Sequence, residues 1–387
     1  MTTIPTDELE RRHAKLRAAA AEAGFDAVLA YSTCKTQANV RWLTGYFTRF
    51  AGWQHVQGEE YAMFGSCACL LPVDGEPLLR SDQSWDAPRV EEMSPFADAG
   101  STMQLGTDLG RVIAERGYKR VAIDNWHIFP VVHYLALKEA APDVELVDSR
   151  IISEARRVKS PYEIERIRRV EEIADAAAIA GMEATKVGVS EYDAALAAET
   201  VARELGDLEA GGNPIIGSTK SFGTGVCLPS RDVVLKSGEW MIFDVLPRFE
   251  GYCGDIARMR LAGDESDLDP KLKHYYEATL LINREAIKAI KPGISTGELN
   301  DIANEVAEQE GVAEIKSPLL GHATGLDIHD VPDFWNDRSP LQAGEVITIE
   351  PCLGIPGEVG TRIEDVILVT EDGYEELTKA PRELVVS

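Results

Sequence analysis

Two histidines and two aspartates lie within the twelve residues GHATGLDIHDVP at 321–332, in a chain that has only seven histidines. Imidazole nitrogens and carboxylate oxygens bind transition metals, and an imidazole that binds no metal can move protons near neutral pH. The stretch therefore allows two hypotheses, a metal site or a polar turn. Acidic residues elsewhere in the chain bear on the choice.

Four carboxylates occur in runs where a buried strand should be apolar. Asp244 ends WMIFDV, Asp255 follows eleven residues later in GYCGDIAR, Glu350 closes VITIEP and Glu364 lies inside TRIEDVILV. Charged residues are rarely fully buried unless they are paired or bind a metal. An expected turn at RFEGY would pair the first two strands, and two later strands could add the glutamates. Cations or protons must hold such a cluster together, and His322 offers the nitrogen ligand that favours a transition metal over calcium.

Each of these residues also has an ordinary explanation. An aspartate on an edge strand can face water, a glutamate can pair with Arg362, and a histidine can bond to a backbone carbonyl. Taken singly, none of them establishes a metal site. Their order along the chain is more informative.

The elements that must position these residues fall into two groups. Strand-like runs alternating with helical stretches predict an α/β domain over residues 1–155, without a Gly-x-Gly-x-x-Gly motif that would indicate a dinucleotide fold. A second domain over 156–387 begins with a long helix, because Ser160, Pro161 and Glu163 form a complete helix-start signal. Further helices are predicted near 190–205, 270–290 and 297–309.

Composition limits the classes of partner. The net charge of −26 opposes binding to phosphate backbones, so nucleic acid is a poor candidate partner. We find neither a run of about 18 to 20 apolar residues that would span a bilayer nor a signal peptide at the N-terminus. The six cysteines fit reduced thiols better than a disulfide framework. We therefore expect a cytoplasmic protein with no membrane partner.

The order Asp244, Asp255, His322, Glu350, Glu364 resembles the pita-bread family of Xaa-Pro dipeptidases, aminopeptidase P, methionine aminopeptidases and creatinase. The resemblance extends over essentially the whole chain, since RRVKSPYEIERIRR resembles the domain junction of the prolidase and creatinase branch. It implies an α/β N-terminal domain followed by an α+β pita-bread domain, and a hydrolase that contains two divalent metal ions. Manganese, iron, cobalt and zinc all suit an oxygen-rich site with one nitrogen ligand.

The resemblance also implies roles for single residues. Asp244 would bind the first metal, Asp255 and Glu364 would bridge both, and His322 and Glu350 would complete the second. His329 would bond to the substrate carbonyl or to the oxyanion, and Glu350 and Arg362 would also take part in catalysis, with Arg362 orienting Glu364. Water activated by the metals would be the nucleophile.

The chain departs from the family pattern at one position. The peptidases carry another histidine before the hairpin, and here the stretch GTGVCLPSRDVVLKSGEW aligns Val226 with it. No histidine lies between His133 and His274, so a small shift of the alignment does not restore it. Cys227, nearby hydroxyls or another subunit could compensate.

Four functions stay open. The protein could hydrolyse a C–N bond of a small amide or amidine, could be a true Xaa-Pro dipeptidase or aminopeptidase, or could be a metal-dependent lyase. Creatinase itself does not match, because creatinase lacks the metal ligands that this chain has. A non-catalytic binding scaffold is the fourth, although such relatives usually lose metal ligands.

A small-molecule or dipeptide substrate is expected, and the branch implies a homodimer in which one N-terminal domain reaches the partner's site. In TGYFTRFAGWQHVQGEEY, Arg49 could hold a substrate carboxylate while Trp53 and His55 line the mouth. Trp335 offers a further pocket wall.

Overall fold

The computed structural model describes residues 4–49, 53–57, 60–94, 96–219, 221–224, 227–332, 334 and 338–384, without side chains for 53–64 and 224. The chain divides into two compact units, Met1–Arg156 and Arg157–Ser387. Each unit has buried apolar clusters of its own. Within the described ranges, no helix combines the length and the apolar character needed to cross a bilayer.

The first unit is built around a mixed sheet with helices. Its elements are α1 (Thr6–Glu22), β1 (Ala27–Thr33), α2 (Ala38–Thr44), β2 (Trp53–Gln57), β3 (Glu60–Phe64), β4 (Ser66–Pro72), β5 (Leu78–Ser81), α3 (Ala87–Met93), β6 (Asp98–Ser101), α4 (Leu105–Glu115), β7 (Arg120–Asp124), α5 (Val131–Ala140), β8 (Glu145–Asp148) and α6 (Ile151–Arg156). The sheet order is β6-β5-β4-β1-β7-β8, and β2 pairs with β3. The α/β class expected for this part of the chain is confirmed.

A buried apolar centre explains the hydrophobic strand sequences of this sheet. Strand β1 pairs antiparallel with β4 and parallel with β7, so neighbours cover both of its edges. Cys67 and Cys69 on β4 are fully buried free thiols, in agreement with the expectation of reduced cysteines. A strand that is covered on both faces reads as a continuous apolar run, as β1 and β4 do.

The second unit contains short strands and long helices. Its elements are α7 (Pro161–Ala184), α8 (Glu191–Leu205), β9 (Ile215–Ser218), β10 (Trp240–Val245), β11 (Arg248–Phe249), β12 (Tyr252–Cys253), β13 (Ile256–Leu261), α9 (Pro270–Lys288), α10 (Thr296–Gln309), β14 (Val346–Ile349), β15 (Cys352–Ile355), β16 (Val359–Arg362), β17 (Asp365–Val369) and β18 (Tyr374–Glu376). The predicted helices of this domain are confirmed, with ends that differ by a few residues.

Local signals begin two of these helices. Ser160 accepts a bond from the Glu163 amide while the Glu163 side chain reaches back to the Ser160 amide, and Ser295 and Glu298 repeat the arrangement at α10. Such a capping box satisfies amides that the first helical turn leaves without partners. Because every atom involved lies within four residues, these helix starts could be predicted from sequence alone.

Two sheets form the framework of the second unit. Strands β13, β10 and β9 form one sheet, and β14, β17 and β18 form another. Helices α7 and α8 pack on the first sheet through alanine-rich faces, and α9 and α10 pack on the second. A single-residue bridge between Ala257 and Glu364 connects the two sheets. The acidic residues singled out in the sequence lie around this bridge.

Candidate metal centre

The four carboxylates lie where strands end or are interrupted. Asp244 is on β10, opposite Ala257 on β13. The other three lie in breaks: Asp255 between β12 and β13, Glu350 between β14 and β15, and Glu364 between β16 and β17. The expectation of continuous strands through Asp255 and Glu364 was wrong in this respect. A break releases the chain from strict alternation, so a side chain can be aimed inward beside apolar neighbours.

These breaks bring the carboxylates to one buried place around His322. Its Nε2 atom lies 3.4 Å from Asp255 Oδ2, 3.6 Å from Glu350 Oε1 and 3.8 Å from Glu364 Oε1. Ligand atoms of Asp255, His322 and Glu364 all lie within 4.8 Å of one another. All four carboxylate residues and His322 are at most 7% exposed.

Electrostatics in the cluster favour protons or cations. Burial raises the pKa of Asp244 to about 6, although Arg362 acts in the opposite direction. Burial and the neighbouring carboxylates raise the pKa values of Asp255 and Glu364 well above the ordinary range. The pKa of Glu350 is also raised by burial. Carboxylates that repel one another in a low dielectric hold protons unless a cation neutralises them, so a divalent ion would find a prepared site.

His322 is oriented as a metal ligand needs to be. Its Nδ1 atom lies 3.1 Å from the carbonyl oxygen of Ala323. A carbonyl can only accept, so Nδ1 carries the hydrogen and the lone pair of Nε2 points to the carboxylates. Burial lowers the pKa of His322 to about 4. The imidazole is therefore neutral at physiological pH, which is the state that binds metals.

The glycine before His322 permits this position. A Cβ atom on Gly321 would lie 2.1 Å from the carbonyl oxygen of Thr348. The Thr348 amide donates to the His322 carbonyl at 2.6 Å, and the His322 amide donates to Thr348 Oγ1 at 3.1 Å. Only a residue without a side chain fits so close to β14.

The second histidine of the motif stacks on the first. The ring centroids of His322 and His329 are 4.0 Å apart, with 27° between the ring planes. Partial burial lowers the pKa of His329 to about 4, and His322 also acts to lower it. His329 nevertheless keeps more than a third of its surface exposed. A neutral imidazole beside the cluster and open to solvent can meet a substrate.

Arg362 contacts two of the carboxylates. Its guanidinium donates to Asp244, and Nη1 lies 3.5 Å from Glu350 Oε2. The guanidinium carbon is 5.3 Å from the ring centroid of Phe222. The expected orientation of Glu364 by Arg362 stays a prediction, since the contacts described here connect Arg362 to Asp244 and Glu350.

Glu171 also contacts the cluster, although it was not among the residues predicted from the sequence. It is fully buried on α7, and its Oε2 accepts a bond from the Asp255 amide at 3.3 Å. Burial raises its pKa well above the ordinary range. A signal was available, because Glu171 interrupts the apolar face that Ile167 and Ala174 share at helical spacing.

Several candidate residues are not brought to this cluster by any described contact. Arg49 is exposed in the first unit, with its guanidinium carbon 5.8 Å from the ring centroid of Phe47. Trp53 and His55 lie on β2, but their side chains are outside the described part of the structure. Val226 and Trp335 also fall outside the described residues. Their roles stay predictions.

Cys227 lies near the cluster. Burial raises the pKa of its thiol to about 12, and the charges of Glu191, Asp244 and Arg362 also act on it. A thiol with so high a pKa is protonated at neutral pH and is a weak nucleophile. Compensation for the missing histidine by a Cys227 thiolate therefore gains no support from its surroundings.

Comparisons with known proteins agree over both units. The family model described as Metallopeptidase family M24 matches residues 165–371, and the one described as Creatinase/Prolidase N-terminal domain matches residues 12–159. An Xaa-Pro dipeptidase of Pyrococcus horikoshii is 33% identical over 276 residues, which cover 70% of this chain and 76% of that protein. An uncharacterized peptidase of Staphylococcus aureus is 36% identical over 356 residues, covering 88% and 95% of the two chains.

A solved structure gives the same result for the fold. The prolidase from Pyrococcus horikoshii superposes with a TM-score of 0.83 and 26% sequence identity, covering 97% of this chain and all of that one. The resemblance to the pita-bread peptidases, stated above from the order of five residues, is confirmed.

Proposed function

This chain belongs to metallopeptidase family M24, with a creatinase/prolidase N-terminal domain, and we propose that it uses two divalent metal ions to hydrolyse an amide-like C–N bond in a small substrate. Membership of this family identifies the chain as a metallohydrolase. The number of ions, their ligands and the class of substrate are the proposal.

The observation that carries the proposal is the buried cluster itself. Four carboxylates and one imidazole nitrogen meet where the only cation described among them is Arg362. One guanidinium does not neutralise four carboxylates. The cluster therefore has the charge, the oxygen-rich composition and the single nitrogen ligand that suit manganese, iron, cobalt or zinc.

An unsatisfied atom also supports the fit to metal ions. Glu364 Oε1 is buried and has no hydrogen-bond partner among the described residues. Buried polar atoms without partners are rare in folded proteins, because each costs about 1 to 3 kcal/mol. A bound cation would satisfy this atom. In the proposal Asp244, Asp255, His322, Glu350 and Glu364 hold the ions.

Bound divalent ions would activate a water molecule and polarise the scissile carbonyl. His329 would donate a hydrogen bond to the substrate oxygen as negative charge develops there. Glu350 would accept a proton from the attacking water and pass it to the leaving nitrogen. Arg362 would hold Asp244 and Glu350 in place through its two contacts with them.

Xaa-Pro dipeptides are the second candidate substrate. They are favoured by the relative that is named Xaa-Pro dipeptidase and by the prolidase structure described above. Against them stands Val226, at the position where the resemblance implies a histidine in the peptidases. We place small amides and amidines first for this reason.

The test is turnover with defined metal content. Protein reconstituted with manganese, iron, cobalt or zinc is assayed on Xaa-Pro dipeptides, small amides and amidines, and bound metal is counted in the same samples. Two ions per chain with cleavage of amides or amidines alone support the proposal. Efficient proline-specific cleavage selects the second candidate. Two bound ions without any hydrolysis point to a lyase, and absence of metal binding points to a scaffold.

His329 offers a sharper test of the mechanism. The substitution His329→Ala should leave two ions bound and lower kcat about 100- to 1000-fold, which is the typical cost of one lost oxyanion donor. His274 is a control, because it bonds to the Glu310 carbonyl outside the cluster and His274→Ala should change kcat little. An unchanged rate in His329→Ala would remove this residue from the mechanism.

The proposal includes a homodimer in the cytoplasm without nucleic-acid or membrane partners. The net charge of −26 supports the absence of nucleic acid. Sedimentation velocity of the metal-loaded protein measures the oligomeric state, and a monomer would contradict the dimer.

A further inference from the structure

We propose that a buried ion pair between Lys159 and Asp330 positions His329 over the candidate metal centre. The pair lies outside the cluster of carboxylates and makes no described contact with them. Its effect on turnover rests on the proposed function, whereas its effect on the backbone does not. Lys159 and Asp330 are thus positioning residues, which act through another side chain.

The backbone that carries His329 is a closed turn, here named the histidine turn (residues 322–330). The Asp330 amide donates to the Ala323 carbonyl at 2.7 Å, which joins the two ends. Ala323 also bridges Ile347 on β14, and the Cys253 amide donates to the Gly325 carbonyl at 2.7 Å. The side of the turn that includes His322 is therefore attached to β14 and β12.

The His329 side of the turn has a different attachment. Asp330 follows His329 directly, and its Oδ2 atom lies 3.9 Å from Lys159 Nζ. Its Oδ1 atom accepts a bond from the Val331 amide at 2.9 Å. The side chains of Lys159 and Asp330 are only 2% and 3% exposed. The carboxylate is thus held between the ammonium group and the backbone that follows it.

Lys159 itself is well anchored. Its amide donates to the Gly344 carbonyl at 2.9 Å, one residue before the Ser160 cap of α7. A Cβ atom on Gly325 would lie 3.0 Å from Asp330 Oδ2 and 3.2 Å from Lys159 Cε. The ion pair therefore packs directly against the backbone of the histidine turn, and α7 supplies a fixed support for it.

The energetics favour a positioning role. Desolvation of two charges offsets most of their attraction, so a buried pair adds little net stability compared with apolar residues of similar volume. Removal of one partner is costly, because it leaves an unpaired charge in the interior. The pair thus restricts Asp330 to one place, and with it the neighbouring backbone of His329. The His329 ring is thereby held in its stack on the His322 ring, with the two ring centroids 4.0 Å apart.

A matched pair nearby provides a control. Arg157 Nε lies 2.5 Å from Glu345 Oε1, and both side chains are buried. Arg157 is two residues before Lys159 and also contacts Ser339, and no described hydrogen bond joins the Arg157–Glu345 pair to the histidine turn. The charge of Lys159 also acts on Glu345, in the direction that lowers the pKa of Glu345. Glu345→Gln therefore perturbs a buried ion pair of the same chain segment while Lys159 and Asp330 both keep their side chains.

The first experiment needs no substrate and no metal. Amide hydrogen exchange is measured on the metal-free full chain, and Lys159→Met should speed exchange of the Asp330 amide about tenfold or more as the turn opens locally. The Thr348 amide, which bonds to the His322 carbonyl on the attached side, should change less. Glu345→Gln should leave the Asp330 amide unchanged. Unchanged exchange at Asp330 in Lys159→Met would overturn the proposal.

The second experiment separates positioning from a general loss of structure. With two ions bound, Lys159→Met should lower kcat about 10- to 100-fold, as loss of an outer partner does at metal sites. In a His329→Ala background the same change should cost less than about twofold, because the group it positions is gone. An equal loss in both backgrounds would overturn the proposal. If the parent protein cleaves no substrate, the proposed function fails and hydrogen exchange still decides the positioning.

A second variant covers the case in which Lys159→Met does not fold. The double variant Lys159→Met with Asp330→Asn leaves no unpaired buried charge and should fold. It should still show faster exchange at the residue-330 amide than Glu345→Gln does. Exchange as slow as in the parent would contradict the proposal.

Discussion

Glu364 and Asp365 are neighbours in the chain, and both are at most 1% exposed. Burial acts to raise the pKa of each carboxyl group. The pKa of Glu364 is indeed raised well above the ordinary range, whereas the pKa of Asp365 is lowered. Two equally buried acidic residues thus have pKa shifts of opposite sign. The cause is the difference in the protein cations that contact each carboxylate.

Asp365 has its own cations. Arg258 Nη2 donates to Asp365 Oδ1 at 2.7 Å, and Arg382 Nε donates to Oδ2 at 2.9 Å. Thr378 adds a third bond at 2.9 Å. These groups satisfy both carboxylate oxygens, and the two guanidinium groups hold the pKa of Asp365 down despite its burial. The Asp365 carboxylate therefore stabilises the fold and is not a candidate metal ligand.

Glu364 has other carboxylates around it instead. Asp255, Glu350 and Asp244 raise its pKa further, whereas the charge of Arg362 acts in the opposite direction. No described contact joins Arg362 to the Glu364 carboxylate, and the nearest described side-chain nitrogen is the neutral imidazole of His322 at 3.8 Å. The comparison teaches that burial alone does not identify a metal ligand. A buried carboxylate that lacks a protein cation indicates a cation from solution.

The largest expected effect concerns Asp255 and Glu364, the two cluster carboxylates that no described guanidinium or ammonium group contacts. Asp255→Ala or Glu364→Ala should abolish metal binding and activity together, because these residues are the proposed bridges between the ions. Calorimetric titration with manganese and a turnover assay on the same preparation measure both. Retained activity at normal metal content would contradict the assignment of these two ligands.

The next effect concerns Asp365, whose substitution should lower stability and leave metal binding unchanged. Asp365→Asn leaves Arg258 partly unpaired in the interior, so the free energy of unfolding should fall by about 3 to 5 kcal/mol. Metal bound per folded chain should stay at its parent value. Urea unfolding and metal counting measure the two quantities. Loss of metal without loss of stability would break the distinction between the neighbours.

A matched variant sharpens this test. Glu364→Gln replaces a carboxyl group whose pKa is raised well above the ordinary range with a neutral group of similar shape. The metal-free variant should therefore be at least as stable as the metal-free parent, although it binds metal poorly. Strong destabilisation of metal-free Glu364→Gln would show that Glu364 stabilises the fold as Asp365 does.

The smallest expected effect is a pH dependence. In the metal-free protein the cluster carboxylates have raised pKa values, for example about 6 for Asp244, against about 4 in the unfolded chain. At the cluster the folded state then binds more protons than the unfolded state, so the contribution of the cluster to stability is largest at low pH and falls as the pH rises from about 4 through 6 and above. Urea unfolding in the presence of a chelator measures this trend.

The control is again Glu364→Gln, which removes one of the raised carboxyl groups and should flatten the trend. Asp365 contributes in the other direction, because its lowered pKa stabilises the fold above about pH 4 and this contribution is lost only on further acidification. An identical pH trend in parent and Glu364→Gln would contradict the link between the cluster and proton binding.

Much of the framework followed from the sequence. The capping boxes at Ser160 and Ser295, the buried strands of the first unit and the turn at 248–252 depend on residues a few positions apart. The order of the five candidate ligands, with the glycine before His322, was sufficient for a family resemblance that the comparisons confirm. Short-range chemistry and residue order are properties of the sequence.

The tertiary structure decided what surrounds each charge. Glu364 and Asp365 look alike in TRIEDVILV, and their environments are set by residues such as Arg258, 107 positions from Asp365. Arg362 reaches Asp244 across 118 positions, and Lys159 meets Asp330 through the packing of α7. The sequence alone determined which residue types were available and in what order. Only folding determined which carboxylates receive a protein cation, because desolvation and Coulomb interactions depend on distances in space.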